Sequence, residues 1–210
     1  MSDAQPIPLH PPLPRMVQPD PPRYDLWPEA MRSAWRLSGA LVPCGPGLRG
    51  LGWPETPRVR LTAIASWLRG GRIATHLTAA WVWGAARRPG DPLQVSLRPG
   101  HRRPTAADPG LRIYESRGAW AECRDFGGLA VTTPVRTALD LLHDPAGFGL
   151  RETVACRLLL RAVEGGGAAV SRRIEQHRRP YGRLARARLA ALQYRDVGLP
   201  LSRGQPPLMR

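Results

Sequence analysis

The sequence predicts an α+β protein with a small mixed β-sheet packed against several helices, a helical C-terminal part and a disordered proline-rich N-terminal tail. Two patterns lead to this fold class. Alternating apolar residues, typical of half-buried strands, lie at 93–97, 111–115 and 128–132. Apolar residues at helical spacing lie at 57–68, 75–83, 133–144, 150–163, 171–177 and 183–194. The length of 210 residues and the hydrophobic fraction of 42% are sufficient for a buried core.

The N-terminal region divides into two parts. Residues 1–28 contain nine of the 24 prolines. Because proline fixes φ and has no amide donor, we expect a disordered tail here. Residues 29–56 are predicted to form a short helix at 29–37 and then a hairpin. The main domain is then 57–195, and 196–210 is a C-terminal tail.

Proline and glycine mark the ends of the first helices in the main domain. Pro57 suits the first turn of the helix at 57–68, because that position needs no amide donor. The helix at 75–83 is closed by Gly84 and is apolar on nearly every side, which predicts deep burial. The apolar run 73–86 is shorter than the roughly 20 residues that a membrane helix needs. We therefore expect a core helix there and no membrane partner.

The strongest helix start follows the third strand. Thr133, or Thr132 just before it, supplies a hydroxyl for an N-cap, and Pro134 occupies the first turn. Arg136 and Asp140 are four residues apart on this helix. They are expected to form an ion pair worth a few tenths of a kcal/mol if it is exposed.

The composition excludes several kinds of chemistry. All 31 basic residues are arginine, which rules out a Walker-type phosphate loop, a Schiff-base lysine and a Ser-Lys dyad. We interpret the glycines at 165–167 as a linker between helices.

The three cysteines form no CxxC pair, which favours a reduced, cytoplasmic compartment. The five histidines lack metal-ligand spacing. We expect His143 to be a charged residue at a helix C-terminus and His76 to donate to a core carbonyl. No catalytic residue, metal or cofactor is predicted.

Arginines cluster in two places. The segment 168–190 contains seven arginines and one glutamate, and a second cluster lies in the loop between the first two predicted strands. Arginine at this density can neutralise several phosphates of a nucleic acid. The candidate contacts are Arg172, Arg173, Arg178, Arg179, Arg183 and Arg186, together with Arg102 and Arg103 on the loop. The alternative is that a very GC-rich genome places arginine on every solvated face, and both interpretations stay open.

Three motifs occur in a fixed order along the main domain. The first is a small-small-aromatic helix motif with a following glycine, formed by Ala79, Ala80, Trp81 and Gly84. A strand with an arginine-rich loop comes next. The third is a TxPxRTxxDL block formed by Thr132, Pro134, Arg136, Thr137, Asp140 and Leu141. In this order the motifs resemble the actinobacterial branch of the AbiEi-type antitoxin family over residues 57–194.

The resemblance implies a cytoplasmic, non-enzymatic antitoxin of a type IV toxin–antitoxin system. Such a protein regulates transcription by binding promoter DNA, and its partner is a nucleotidyltransferase toxin. Residues 29–56 would then be a remnant of a winged helix, since they are short for a complete one. Many relatives continue into an endonuclease-like domain, and the segment from Gly198 resembles its start without its acidic motif. The alternative function is therefore a truncated relative of very-short-patch-repair-type endonuclease proteins that acts as an interaction module or is inactive.

Overall fold

The computed structural model describes residues 19–101, 108–115, 118–176 and 179–197. Its helices are α1 (Glu29–Leu37), α2 (Pro57–Ala63), α3 (His76–Val82), α4 (Pro134–His143), α5 (Leu150–Ala162), α6 (Gly166–Gln176) and α7 (Gly182–Val197). Its strands are β1 (Leu41–Cys44), β2 (Gly47–Gly50), β3 (Arg72–Ala74), β4 (Leu93–Leu97), β5 (Leu111–Tyr114), β6 (Cys123–Phe126) and β7 (Leu129–Thr132). The predicted α+β class is confirmed.

Five strands form one mixed sheet in the order β5-β4-β3-β7-β6. β3 lies between β4, to which it is antiparallel, and β7, to which it is parallel. β4 and β5 are parallel, and β6 and β7 form an antiparallel pair. The predicted hairpin at 29–56 is present as β1 and β2, which pair with each other.

The helix motif lies at the junction of two cores. One core packs α2 and α3 against the sheet, and the other joins α3 to α4, α5, α6 and α7. Ala79 and Ala80 are both fully buried and belong to different cores. Trp81 is 3% exposed, and Gly84 follows the helix with a φ of +80°, a conformation that favours glycine. The motif is therefore a packing feature at this junction.

Thr133 is the N-cap of α4. It is one of the two residues, Thr132 and Thr133, that the sequence offered for this position. Its hydroxyl accepts a hydrogen bond from the backbone amide of Arg136 at 3.3 Å, and Pro134 occupies the first turn. The hydroxyl of Thr132 instead lies 2.8 Å from that of Thr137. This contact ties the end of β7 to the first turn of α4.

Several sequence-based boundaries were wrong. The helix predicted at 57–68 ends at Ala63, where turns begin, and the run 73–86 starts in β3 rather than in a helix. β3 has three residues and obtains its pairing from strands distant in sequence, so no local period marks it. β6 was not predicted, because its exposed residues break the apolar alternation.

The helical region near the C-terminus also differs from the prediction. α6 begins at Gly166 rather than at residue 171, so two of the three glycines that we interpreted as a linker are helical. In the N-terminal region, Tyr24 is buried in a 3-10 turn at Tyr24–Leu26, which corrects the prediction of a tail up to residue 28. Residues 1–18 and 198–210 lie outside the described residues. Within the described part of the chain, none of the helices has the length and apolarity needed to cross a membrane.

Candidate functional site: a polar cavity and an arginine surface

The TxPxRTxxDL block places an ion pair inside the protein. Arg136 Nε lies 2.8 Å from Asp140 Oδ1, and the two side chains are 2% and 4% exposed. The expected ion pair is therefore present, but the small value expected for an exposed pair does not apply, because α4 is enclosed by α3, α5 and α7. A buried pair of this kind matters for stability because removing either partner leaves an uncompensated charge.

Further charges join this pair. Glu122 lies 3.5 Å from Arg136 and 2.5 Å from Arg173, while Arg179 Nη1 lies 3.3 Å from Asp140 Oδ1. Two of the arginines predicted to contact phosphate, Arg173 and Arg179, thus pair with carboxylates of the protein itself. Because these ion pairs join Arg173 to the partly buried Glu122 and Arg179 to the buried Asp140, we assign both arginines a structural role.

A cavity of about 1000 Å³ opens beside this network, and we call it the α4 cavity. Its walls combine residues of α4, the start of α3, the ends of β4 and β5 and the turn before α7. His76 stacks on Tyr114 with ring centroids 3.8 Å apart, and the Tyr114 hydroxyl donates to Asp144 Oδ2 at 2.9 Å. The His76 Nδ1 lies 3.0 Å from the hydroxyl of Thr75 rather than against a backbone carbonyl, so that expectation was wrong.

Three histidines line the α4 cavity, and burial favours the neutral form of two of them, His76 and His143. Burial lowers the pKa of His76, although Asp140 and Asp144 partly oppose this effect. Burial also lowers the pKa of His143. His143 Nδ1 lies 2.8 Å from the carbonyl oxygen of Leu139, so Nδ1 carries the proton and Nε2 is an acceptor. His143 does end α4 as expected, but its predicted positive charge is corrected by its burial.

Strained backbone also occurs at this cavity. His76 has a φ of +48° and Tyr181 a φ of +63°. Within the described residues these are the only non-glycine residues with positive φ, and both line the α4 cavity. Such strain persists only where the surrounding structure enforces it, and it clusters at functional sites.

The described residues contain no group of three or more His, Cys, Asp or Glu side chains that could hold a metal ion. Two acceptors of the α4 cavity nevertheless lack a hydrogen-bond partner there, namely Asp140 Oδ2 and His143 Nε2. Buried polar atoms are usually paired, so these two atoms call for an explanation.

The remaining predicted arginines form an outward-facing set. Arg172 on α6 and Arg183 and Arg186 on α7 are exposed, and we call them the arginine surface. On α7 the two arginines are three residues apart and exposed, whereas Ala185 and Leu189 on the same helix are buried. Arg178, Arg102 and Arg103 lie outside the described residues.

No family model matches the chain, and no curated protein matches it. A crystal structure of RV2827C protein from Mycobacterium tuberculosis is similar, with a TM-score of 0.44 and 18% sequence identity. The similarity covers 79% of this chain and 64% of the mycobacterial one, which is less than two thirds of that chain.

Sequence reasoning found Arg136 and Asp140 but missed the cavity beside them. Other polar residues of the cavity come from separate elements, with His76 at the start of α3, Tyr114 at the end of β5 and Asp144 after α4. Their spacing in sequence matches no motif, and only the pairing of β4 with β5 brings Tyr114 to this place. The one local signal was a histidine at the start of a helix that is otherwise apolar.

Proposed function

We propose that the chain is an antitoxin-like, DNA-associated transcriptional regulator of a type IV toxin–antitoxin system, without catalytic activity. Two observations support the proposal. The ordered motifs resemble the AbiEi-type antitoxin family, and the arginine surface provides charge for phosphate contacts. The proposal places the protein in the cytoplasm, and its three free cysteines fit a reducing compartment.

The observation that carries the DNA part is the division of the arginines into two sets. Arg173 and Arg179 are paired with carboxylates, whereas Arg172, Arg183 and Arg186 are exposed and have no ion pair within the described residues. An exposed guanidinium without a carboxylate partner can replace a counterion at a phosphate. The arginine surface therefore supplies contacts that position the protein on DNA without selecting a sequence.

Titration with the DNA upstream of the gene at two salt concentrations tests this proposal. Three phosphate contacts predict that the logarithm of the binding constant falls with the logarithm of salt with a slope of about −3. The double variant Arg183→Gln/Arg186→Gln is expected to reduce the steepness of that slope by about 2. Absence of binding at low salt contradicts the proposal.

A matched control separates local contacts from total charge. The double variant Arg36→Gln/Arg124→Gln removes the same charge from exposed residues on α1 and β6. It is expected to leave the slope close to that of the wild type. Equal weakening by both double variants would show that only net charge matters, which contradicts a role for the arginine surface.

A second candidate function is a protein-interaction module. α1 contains no buried residue, and Met31, Trp35 and Leu37 on it are 44%, 43% and 90% exposed. Exposed apolar side chains so close together favour a protein contact. The nucleotidyltransferase toxin that the resemblance implies is the partner to test, by co-purification with the wild type and with Trp35→Ala. Co-purification that Trp35→Ala abolishes, without any DNA binding, favours this second function.

A further inference from the structure

Features that destabilise a fold are concentrated at the α4 cavity. The buried ionisable side chains His76, Arg136, Asp140 and His143 all line it, as do both strained non-glycine residues of the described chain. Buried charge and backbone strain each cost folding free energy. Their occurrence together indicates that the cavity is kept for a ligand rather than for packing.

Hydrogen-bond chemistry indicates what this ligand must offer. Asp140 Oδ2 and His143 Nε2 accept hydrogen bonds, and neither has a partner in the described part of the chain. The Ser96 hydroxyl, which also lines the cavity, lacks a partner as well. A ligand that satisfies the first two atoms must bring N–H or O–H donors, because both atoms can only accept.

The shape and charge of the cavity walls further restrict the chemical class of the ligand. Trp120 carries the Arg98 guanidinium 3.9 Å from its ring centroid, and the ring of Tyr181, a residue that is 55% exposed, borders the opening. Three arginines and three carboxylates line the cavity, so the walls favour neither a cation nor an anion. These arginines are Arg98, Arg136 and Arg179, and the carboxylates are Glu115, Asp140 and Asp144. Flat faces with balanced charge suit a planar, uncharged heterocycle.

We propose that the α4 cavity binds a nucleobase that carries an exocyclic amine, with the amine directed at the acceptors of α4 and the ring stacked on Tyr181. The base could come from a free nucleotide or from an unpaired position of a nucleic acid, because the recognised chemistry is the same. The inference goes beyond the proposed regulator and does not depend on the arginine surface.

Calorimetric titration of the full chain with adenosine, guanosine, cytidine and uridine tests the proposal. At least one of the three amine-bearing nucleosides is expected to bind, and uridine about tenfold more weakly, because its base has a single N–H donor and leaves at least one of the two buried acceptors unpaired. Tyr181→Gly is expected to weaken binding of that nucleoside about tenfold through lost stacking. Thermal stability should not fall, since glycine adopts the φ of +63° without strain.

The control is Trp35→Ala, which removes an exposed aromatic ring that does not line the cavity. It is expected to bind like the wild type. No heat with any nucleoside at millimolar concentration, equal affinity for all four, or unchanged affinity in Tyr181→Gly would each overturn the proposal.

A last comparison identifies the source of the base and separates this inference from the proposed function. Tighter binding of a nucleoside monophosphate supports a free nucleotide, and tighter binding of a short single-stranded oligonucleotide supports a nucleic acid. The variant Arg183→Gln/Arg186→Gln should retain nucleoside binding even where it loses duplex DNA. Loss of nucleoside binding in that variant would overturn the placement of the ligand in the α4 cavity.

Discussion

The substitution Asp140→Asn tests whether the buried ion pair of α4 is as desolvated as the structure shows. The side chains of Arg136 and Asp140 are 2% and 4% exposed. Breaking such a pair costs about 3–5 kcal/mol, because the remaining charge stays buried. Glu122 remains 3.5 Å from Arg136 and compensates part of that charge. We therefore expect a loss near the lower end of this range, about 3 kcal/mol.

Urea unfolding followed by tryptophan fluorescence measures this loss, and the thermal midpoint should fall by about 6–12 °C for a chain of this size. The control is Glu29→Gln, which makes the same chemical change in the Arg32–Glu29 pair, whose side chains are 31% and 67% exposed. That variant should lie within about 0.5 kcal/mol of the wild type. A loss below about 1 kcal/mol in Asp140→Asn would show that the pair is solvated and would refute the reasoning.

Three further predictions follow from burial and close contact. Because burial holds the pKa of His143 below its ordinary value of 6.5, the unfolded chain binds more protons there. The contribution of His143 to the free energy of unfolding is therefore fully present above pH 6.5 and is lost as the pH falls below it. The variant His143→Gln should flatten this decline when thermal unfolding is measured against pH. An unchanged decline would contradict the neutral state assigned to His143. Burial raises the pKa of Cys44 to about 11 and of Cys156 to about 12, so a thiol reagent at pH 8 should label Cys123 first; three equal rates would contradict this. A Cβ at Gly47 would lie 1.8 Å from a backbone oxygen, so Gly47→Ala should cost about 1–3 kcal/mol in urea unfolding. Gly52→Ala is its control, because nothing lies within 4 Å of that Cβ, and equal losses would contradict the clash.

Elements whose signals are local could be predicted from the sequence. The start of α4 depends on Thr133 and Pro134, which act within one turn of the helix, so the N-cap was found from the residues alone. β4 and β5 were found because the alternating apolar residues of each strand, Leu93 and Val95 in β4 and Leu111 and Ile113 in β5, pack in or against one core. In each case the physical cause lies within about ten residues, which is the range that periodicity and capping can report.

Features that depend on distant pairing could not be predicted in this way. The three residues of β3 form a strand only because β4 and β7 supply their hydrogen bonds from either side. Burial of Arg136 and Asp140 depends likewise on helices that follow later in the chain. Spacing alone predicted their pairing but not their environment, since an i,i+4 pair has the same sequence pattern on a solvated face and in a core. The α4 cavity has the same origin, because strand order brings Tyr114 beside His76.

The complete use of arginine instead of lysine has a structural consequence that a codon bias does not explain. Arg188 Nη1 donates to the carbonyl oxygens of Leu142 and Asp144 at 2.9 and 2.8 Å, and so supplies hydrogen bonds at the C-terminal end of α4. Arg136 directs Nε to Asp140 and Nη1 to Glu122. A guanidinium contacts several acceptors at once because its five donors are fixed in a plane, whereas an ammonium is a point charge on a flexible stem. Codon bias therefore accounts at most for arginines whose positions lysine could also fill, and these include the exposed residues of the arginine surface. Lysine can replace arginine where a side chain only contacts phosphate and reads no base. The role of the arginine surface must therefore be decided by the salt dependence of DNA binding and not by the identity of its residues.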